Sequence, residues 1–487
     1  MGDALLNIPW AVVLILVPLA GGMVCFLWQA VAKTVALVTS FFVALSVVGL
    51  AWQMIENDVY RHAVGGWDAP LGIELYADGL SLLMLSVTAL VGVCISIYST
   101  GYFEPKQSAQ FWPLWLFLLA ALNALFLSAD IFNLYVTLEL MGLAAVALAA
   151  LGGGGDALTG AMRYLLATLL GSLAYLFGVA LLYHAFGSVD IATLAQRVEA
   201  TPITWTALAL MSAGLMLKTA IFPFHFWLPP AHASAPAPVS AVLSALVVKA
   251  SFYLLLRLWL DIFGPLGVGG VDILLGLLGA AAVLWGSLQA LMQTRLKLLI
   301  AYSTVAQIGY LFIAFSLAAS GSVTAWSAAA YLALSHALAK AAMFLVAGNL
   351  LRVGGHDRIT DIGLVVQRLP LSVAAFALAG VSIMGLPPSG GFIGKWLLLE
   401  AALEQGRWGL LVIILLGGLL AAGYIFKVLG YAFIQASVAH DSRVIPAQME
   451  WTAFLLACAA ILLGFLATPL LSLLAIGDPF SISEVAL

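Results

Sequence analysis

Along nearly its whole length the chain repeats one pattern: apolar runs of about 20 residues, each closed off by a short cluster of Gly, Pro or charge. A helix of that length crosses a hydrocarbon layer ~30 Å thick. Few folds satisfy such a pattern. Inside lipid every backbone N–H and C=O needs a partner within the chain, so the runs become helices packed side by side. Charged residues are only 8% of the 487 and hydrophobic residues 64%, too little charge to cover a water-soluble protein of this size. The fold class that follows is all-α, a polytopic membrane protein. The first run, 8–28, is longer than a signal h-region and has only Asp3 as a charge before it, so it reads as a retained span.

The runs suggest fourteen spans, at 8–28, 32–53, 79–101, 109–128, 130–151, 160–186, 203–232, 236–260, 271–293, 297–318, 324–350, 370–403, 409–436 and 450–475. The largest loop, about 53–78, is short and acidic, leaving no room for a separate soluble domain. One set of loops carries Lys33, Lys106, Arg163, Arg295, Lys297, Arg352, Arg358, Arg368 and Arg443; the opposite set carries only Arg61, Arg197 and Arg407. Nine basic residues against three predict that both termini lie outside the cytoplasm. Cys25, Cys94 and Cys458 fall singly in apolar runs with no metal-binding spacing, so neither a metal nor a redox cofactor is expected. A net charge of −4 without a basic patch speaks against nucleic acid as a partner.

Six basic residues belong to no loop in this reading: Lys218, Lys249, Arg257, Lys340, Lys395 and Lys427. A charge at mid-bilayer costs from ~2.5 to over ~10 kcal/mol, so such groups need partners or water. Burial favours a neutral amine and a neighbouring carboxylate favours an ammonium; balanced against each other, the two let a lysine take up and release a proton. Glu139, the one acid well inside a span, is the candidate partner for Lys218. Tyr135, one turn earlier, is placed to donate to it. The plainer alternative is an ion pair that only joins two helices, although burial makes such a pair a poor source of stability.

Spans 7 and 12 are both long, both carry a lysine and both are interrupted: Pro223 follows Lys218, and GLPPSGG precedes Lys395. They stand five spans apart, so two repeats built on them would run oppositely through the bilayer, the arrangement of many ion transporters. Prolines free backbone carbonyls, which are tolerated at membrane depth only where they face protein or a wet cavity. Pro236 and Pro238 fit a hairpin before span 8; Pro223 fits that reading less well. His336 and Lys340, four apart on span 11, share a face suited to proton relay. His225 and His232 in the Pro-rich segment fit either a proton inlet or plain packing. Arg257 and Asp261 have the spacing of a helix-surface salt bridge. Lys427 is open between a transport role and an interfacial one.

Taken in order, LKTAIFPFHFWLPPAHASAPAPVSAVLSALVVKA, RLKLLIAYSTVAQIGYLF, SHALAKAAMFLVAG and GLPPSGGFIGKW resemble the antiporter-like, proton-translocating membrane subunits of respiratory complex I (types L, M and N), Mrp cation/proton antiporters and membrane-bound hydrogenases. FNLYVTLELMGLAAVALAALGG resembles the D-type subunits of Mrp antiporters more than the complex I subunits. The resemblance implies spans 1–3 in residues 1–108, inverted five-helix repeats in 109–260 and 271–436, and a last helix in 450–487. It also implies that Glu139 modulates Lys218, that Lys249 passes protons toward the centre, that His336 and Lys340 continue the path, and that Lys395 serves the outer exit. Ser303, Thr304 and Gln307 stand where the second repeat would carry its acid. The sequence stops soon after span 14, and no long lateral helix is expected. The implied function is proton movement within a multi-subunit Mrp-type antiporter in the bacterial inner membrane, with other membrane subunits, lipid, protons and Na+ as partners. The alternative is a complex I-like, hydrogenase or inorganic-carbon uptake module.

Overall fold

The computed structural model describes residues 8–67, 69, 72–267, 270–318, 322–363, 365–434 and 444–480. Arg443, one of the nine residues in the basic tally, lies outside them. Thirteen helices among the described residues are long and apolar enough to cross a membrane. The fourteenth expected crossing, span 12, consists of two shorter helices, Pro370–Met384 and Gly390–Glu404, on either side of a break. Span 7 is broken in the same manner, into Pro202–Thr219 and Leu228–Ser234.

The other spans lie close to their expected bounds. They are span 1 Trp10–Leu27, span 2 Ala32–Asn57, span 3 Gly79–Tyr102, span 4 Pro105–Leu127 and span 5 Ile131–Ala150. Spans 9, 10 and 11 are Val271–Met292, Leu296–Ala318 and Val323–Gly354, and span 13 is Trp408–Phe433. Span 6, Gly154–Phe186, starts earlier than 160 because Gly153 and Gly154 take φ 73° and 76°, letting the chain turn and enter the helix inside its own glycine run. Span 14, expected over 450–475, is shorter: Ala447–Leu462 ends in a 3-10 turn at Leu463–Phe465, and a separate short helix, Ala467–Leu474, follows.

Both broken helices end identically. Ala220 and Gly385 adopt the left-handed conformation (φ 58° and 80°). The next residue's N–H then reaches back five positions, Ile221 to the Met216 carbonyl at 3.3 Å and Leu386 to Val381 at 3.1 Å. Pro223 and Pro387–Pro388 keep each helix from resuming at once. Past the second break, Ser389 caps the new helix by accepting from the Phe392 N–H at 3.2 Å.

Spans 8 and 11 form the centre and are buried along their length, whereas spans 1, 2 and 13 turn apolar side chains such as Val38, Phe41 and Leu419 outward. Outward-facing leucine and phenylalanine cost nothing in lipid. Span 8 begins as Ala237–Val242, passes through a π-helical stretch, Leu243–Val247, and continues as Val248–Leu258. A π-bulge widens one turn and is common beside functional groups; this one ends two residues before Lys249. The 53–78 loop contains a small antiparallel hairpin, Tyr60–Ala63 with Glu74–Ala77, tied by Arg61 to Glu74 at 3.4 Å. Cys25 and Cys94 are buried as expected, and Cys458 is only partly covered.

Candidate functional site

A series of buried and partly buried polar groups, gathered in three stations, draws on spans 5, 6, 7, 8, 10, 11 and 12. Its first station joins spans 5, 6 and 7. Lys218 is in the last turn of the first half of span 7, where helix carbonyls point at a cation favourably. Its Nζ donates to Thr168 Oγ1 at 2.7 Å and lies 3.8 Å from Glu139 Oε2. Ser172, one turn beyond Thr168 on span 6, donates to Glu139. That hydroxyl, not the one on Tyr135, is the partner of the carboxylate. Spans 6 and 7 meet closely through glycine: a Cβ on Gly171 would come 2.8 Å from the Gly214 carbonyl and 3.1 Å from Lys218 Cγ.

The second station is the meeting of spans 8, 10 and 11. Lys249 and Lys340 are 1% and 0% exposed, as little as any leucine in the core. Lys249 donates to the Ser244 carbonyl inside the π-helical stretch. The Ser244 hydroxyl is 2.8 Å from Thr304 Oγ1 on span 10, and the adjacent Ser303 receives Lys340, which also donates to the Ile300 carbonyl at 3.0 Å. Two hydroxyl-bearing residues of span 10 thereby link the two lysines. His336, one turn from Lys340, is buried with neither ring nitrogen hydrogen-bonded to a described residue. A buried imidazole in that condition calls for water.

The third station is the break in span 12. Ser335, beside His336, pairs with Ser382 at 2.8 Å. Lys395 then donates to the carbonyls of Ile383 (2.9 Å) and Met384 (3.1 Å), which the break has left without helical partners, and its ammonium is 4.5 Å from the centre of the Tyr310 ring. Gln307 donates to the same Ile383 carbonyl at 3.3 Å. Among the described residues Lys249, Lys340 and Lys395 take part in no ion pair; of the line's lysines only Lys218 has a carboxylate. No group of three or more His, Cys, Asp or Glu among the described residues could hold a metal ion.

Several residues stand differently from the sequence reading. Arg257 is buried and pairs with Asp78 at the start of span 3, with further bonds to Ser81 (3.0 Å) and Tyr253 (3.1 Å), instead of forming the expected surface pair with Asp261. Lys427 donates to the carbonyls of Leu291 (2.7 Å) and Gln293 (2.8 Å), closing the end of span 9. Lys297, expected in a loop, is 3% exposed in the first turn of span 10 and donates to the Ala235 carbonyl. His232 is fully buried and stacks on Phe344 at 4.7 Å, while His225 is half-buried against Phe222 and Tyr302. The one sequence sign for Lys297 was its place at the very edge of an apolar run.

Comparisons with known proteins agree with this architecture. The family described as NADH:quinone oxidoreductase/Mrp antiporter, TM, matches residues 128–421, and the family described as NADH-ubiquinone oxidoreductase (complex I), chain 5 N-terminus, matches 64–111. The chain is 36% identical to the N-type subunit of the NADH-quinone oxidoreductase of Desulforudis audaxviator, over 80% of this chain and 79% of that one. It is 28% identical to the D-type subunit of the Na(+)/H(+) antiporter of Alkalihalophilus pseudofirmus, over 86% of each. Its fold superimposes on a chain of the Mrp complex from Dietzia sp. with a TM-score of 0.89, at 24% identity and 98% coverage of both. With its central helices matched from span 5 into span 13 and a complex I relative above a third identity, the chain belongs to the family of membrane subunits shared by NADH:quinone oxidoreductases and Mrp antiporters.

Proposed function

We propose that this chain is the proton-translocating membrane subunit of a multi-subunit Mrp-type cation/proton antiporter, set in the bacterial inner membrane with both termini outside. The observation that carries the reading is the Glu139–Lys218 pair, at 3.8 Å, at the head of a buried line leading through Lys249, Lys340 and His336 to Lys395. Glu139 holds charge on Lys218; when the carboxylate moves or is neutralised, the buried amine loses its partner and yields its proton along the line. Exchange with Na+ or another cation then falls to partner subunits.

Glu139→Ala and Lys218→Ala are each expected to abolish pH-gradient formation by the assembled complex in vesicles. Unaltered transport in either, with assembly intact, contradicts the reading. A second reading, a complex I-like pump driven by electron transfer in other subunits, draws on the 36% identity to the oxidoreductase relative, against 28% to the antiporter relative. A sodium jump imposed on vesicles separates the two: an antiporter moves protons without an electron donor, and a redox-driven pump does not.

A further inference from the structure

The line through the three stations leaves out two buried bases, Lys297 and His232, which lie together under the more basic face. At that face Arg295, half exposed, pairs with Asp357 at 2.9 Å, and the Leu296 N–H donates to the Asp357 carbonyl at 2.7 Å, so the mouth of this region is polar. Lys297 follows directly, buried, with its ammonium on the Ala235 carbonyl. His232, three residues before Ala235, is 0% exposed, and neither ring nitrogen has a hydrogen-bond partner among the described residues. Its ring lies flat on Phe344, one turn beyond Lys340 on span 11. Its carbonyl accepts from the Ser240 hydroxyl at 3.2 Å, and Ser244, one turn further along span 8, is the residue that binds Lys249 and touches Thr304.

Packing alone explains neither group. A lysine is not needed to cap one carbonyl, and an imidazole in an apolar pocket without hydrogen bonds forfeits what distinguishes it from phenylalanine. We propose that Lys297 and His232 form a second proton inlet, running from the more basic face to the central Lys249–Lys340 pair without passing through Lys218. Lys297 takes a proton from water at the Arg295–Asp357 mouth and gives it to the free nitrogen of His232. The imidazolium returns it, through water and the Ser240 and Ser244 hydroxyls, to the Lys249 amine. No bond other than N–H and O–H changes. The inlet rests on the proton-carrying reading above: Glu139 and Lys218 set when the centre discharges, and Lys297 and His232 refill it.

The test replaces Lys297 with Arg, His and Met in the whole complex, reconstituted in vesicles beside Lys218→Ala. Arg keeps a donor for the Ala235 carbonyl but does not release a proton, whereas His can do both. A relay requires transport to fall about 100-fold or more in Lys297→Arg and Lys297→Met, the order of a lost proton-transfer group, and to persist in Lys297→His. His232→Gln, which keeps polarity but cannot be protonated, is expected to match Lys297→Arg. Full transport in Lys297→Arg or in His232→Gln overturns the inlet. If Lys297→Met fails to assemble, the Arg and Gln variants decide. Lys218→Ala keeps the two readings apart: an inactive Lys218→Ala beside a fully active Lys297→Arg removes the inlet alone, while an active Lys218→Ala removes the reading on which it rests.

Discussion

Spans 7 and 12 are broken by the same device and equipped differently. Each ends its first half on a left-handed residue, each is followed by proline, and each brings a lysine ammonium to the negative end of that half-helix. At span 7 the lysine meets a carboxylate and a threonine. At span 12 it meets two backbone carbonyls and the face of a tyrosine. Backbone carbonyls and a ring cannot change charge, and Glu139 can. On the proposed proton-carrying reading, control falls to the first site and passive relay to the second, although the backbone is nearly the same in both.

Arginine at both sites breaks this comparison most directly. Lys218→Arg and Lys395→Arg keep the positive charge and cannot discharge it, so each is expected to lower proton transport in vesicles by about 100-fold, within the range for one proton-transfer group. Transport retained in Lys395→Arg alone reduces the span 12 site to a helix cap. Supplying the second site with an acid comes next. Gln307 and Lys395 share the Ile383 carbonyl, so Gln307→Glu places a carboxylate beside that ammonium, where an attraction of ~4 kcal/mol at 4 Å and an effective dielectric of 20 pins it. A fall of about tenfold in transport, with no loss of assembly, is expected. Thr168→Val strips Lys218 of its nearest partner and is expected to destabilise by ~1–3 kcal/mol, read as an earlier melting transition of the complex. Lys427→Met has the smallest effect: ~1 kcal/mol of stability through the uncapped end of span 9, and unchanged transport.

Much of this was legible because membrane helices announce themselves by length, and because an amine in an apolar run has few reasons to be there. Lys218, Lys249, Lys340 and Lys395 are all buried as their surroundings in the sequence require. Span 12 was legible as interrupted, yet the depth of the break, which leaves two helices of 15 residues each, depends on how Gly385 and the two prolines turn in space. Partners far apart in sequence were not legible. Arg257 finds Asp78, 179 positions away, because spans 3 and 8 meet, and spacing along one helix could suggest only Asp261. Ser172 stands at Glu139 for the same reason: its hydroxyl comes from a neighbouring helix, whereas spacing along one helix could suggest only Tyr135. By sequence Lys297 counts with the loops, because a lysine at the very edge of a span normally extends its stem back to water. Here the Pro-rich segment covers it and offers the Ala235 carbonyl inside.

The sharpest examination of the proton line is a cryo-electron-microscopy map of the native complex, at a resolution that shows single waters. Conduction along these residues requires ordered water between Lys218 and Lys249 and from Lys340 past the unbonded nitrogens of His336 to Lys395. Close, dry packing in those two intervals, with the imidazole of His336 sealed by apolar side chains, would contradict it.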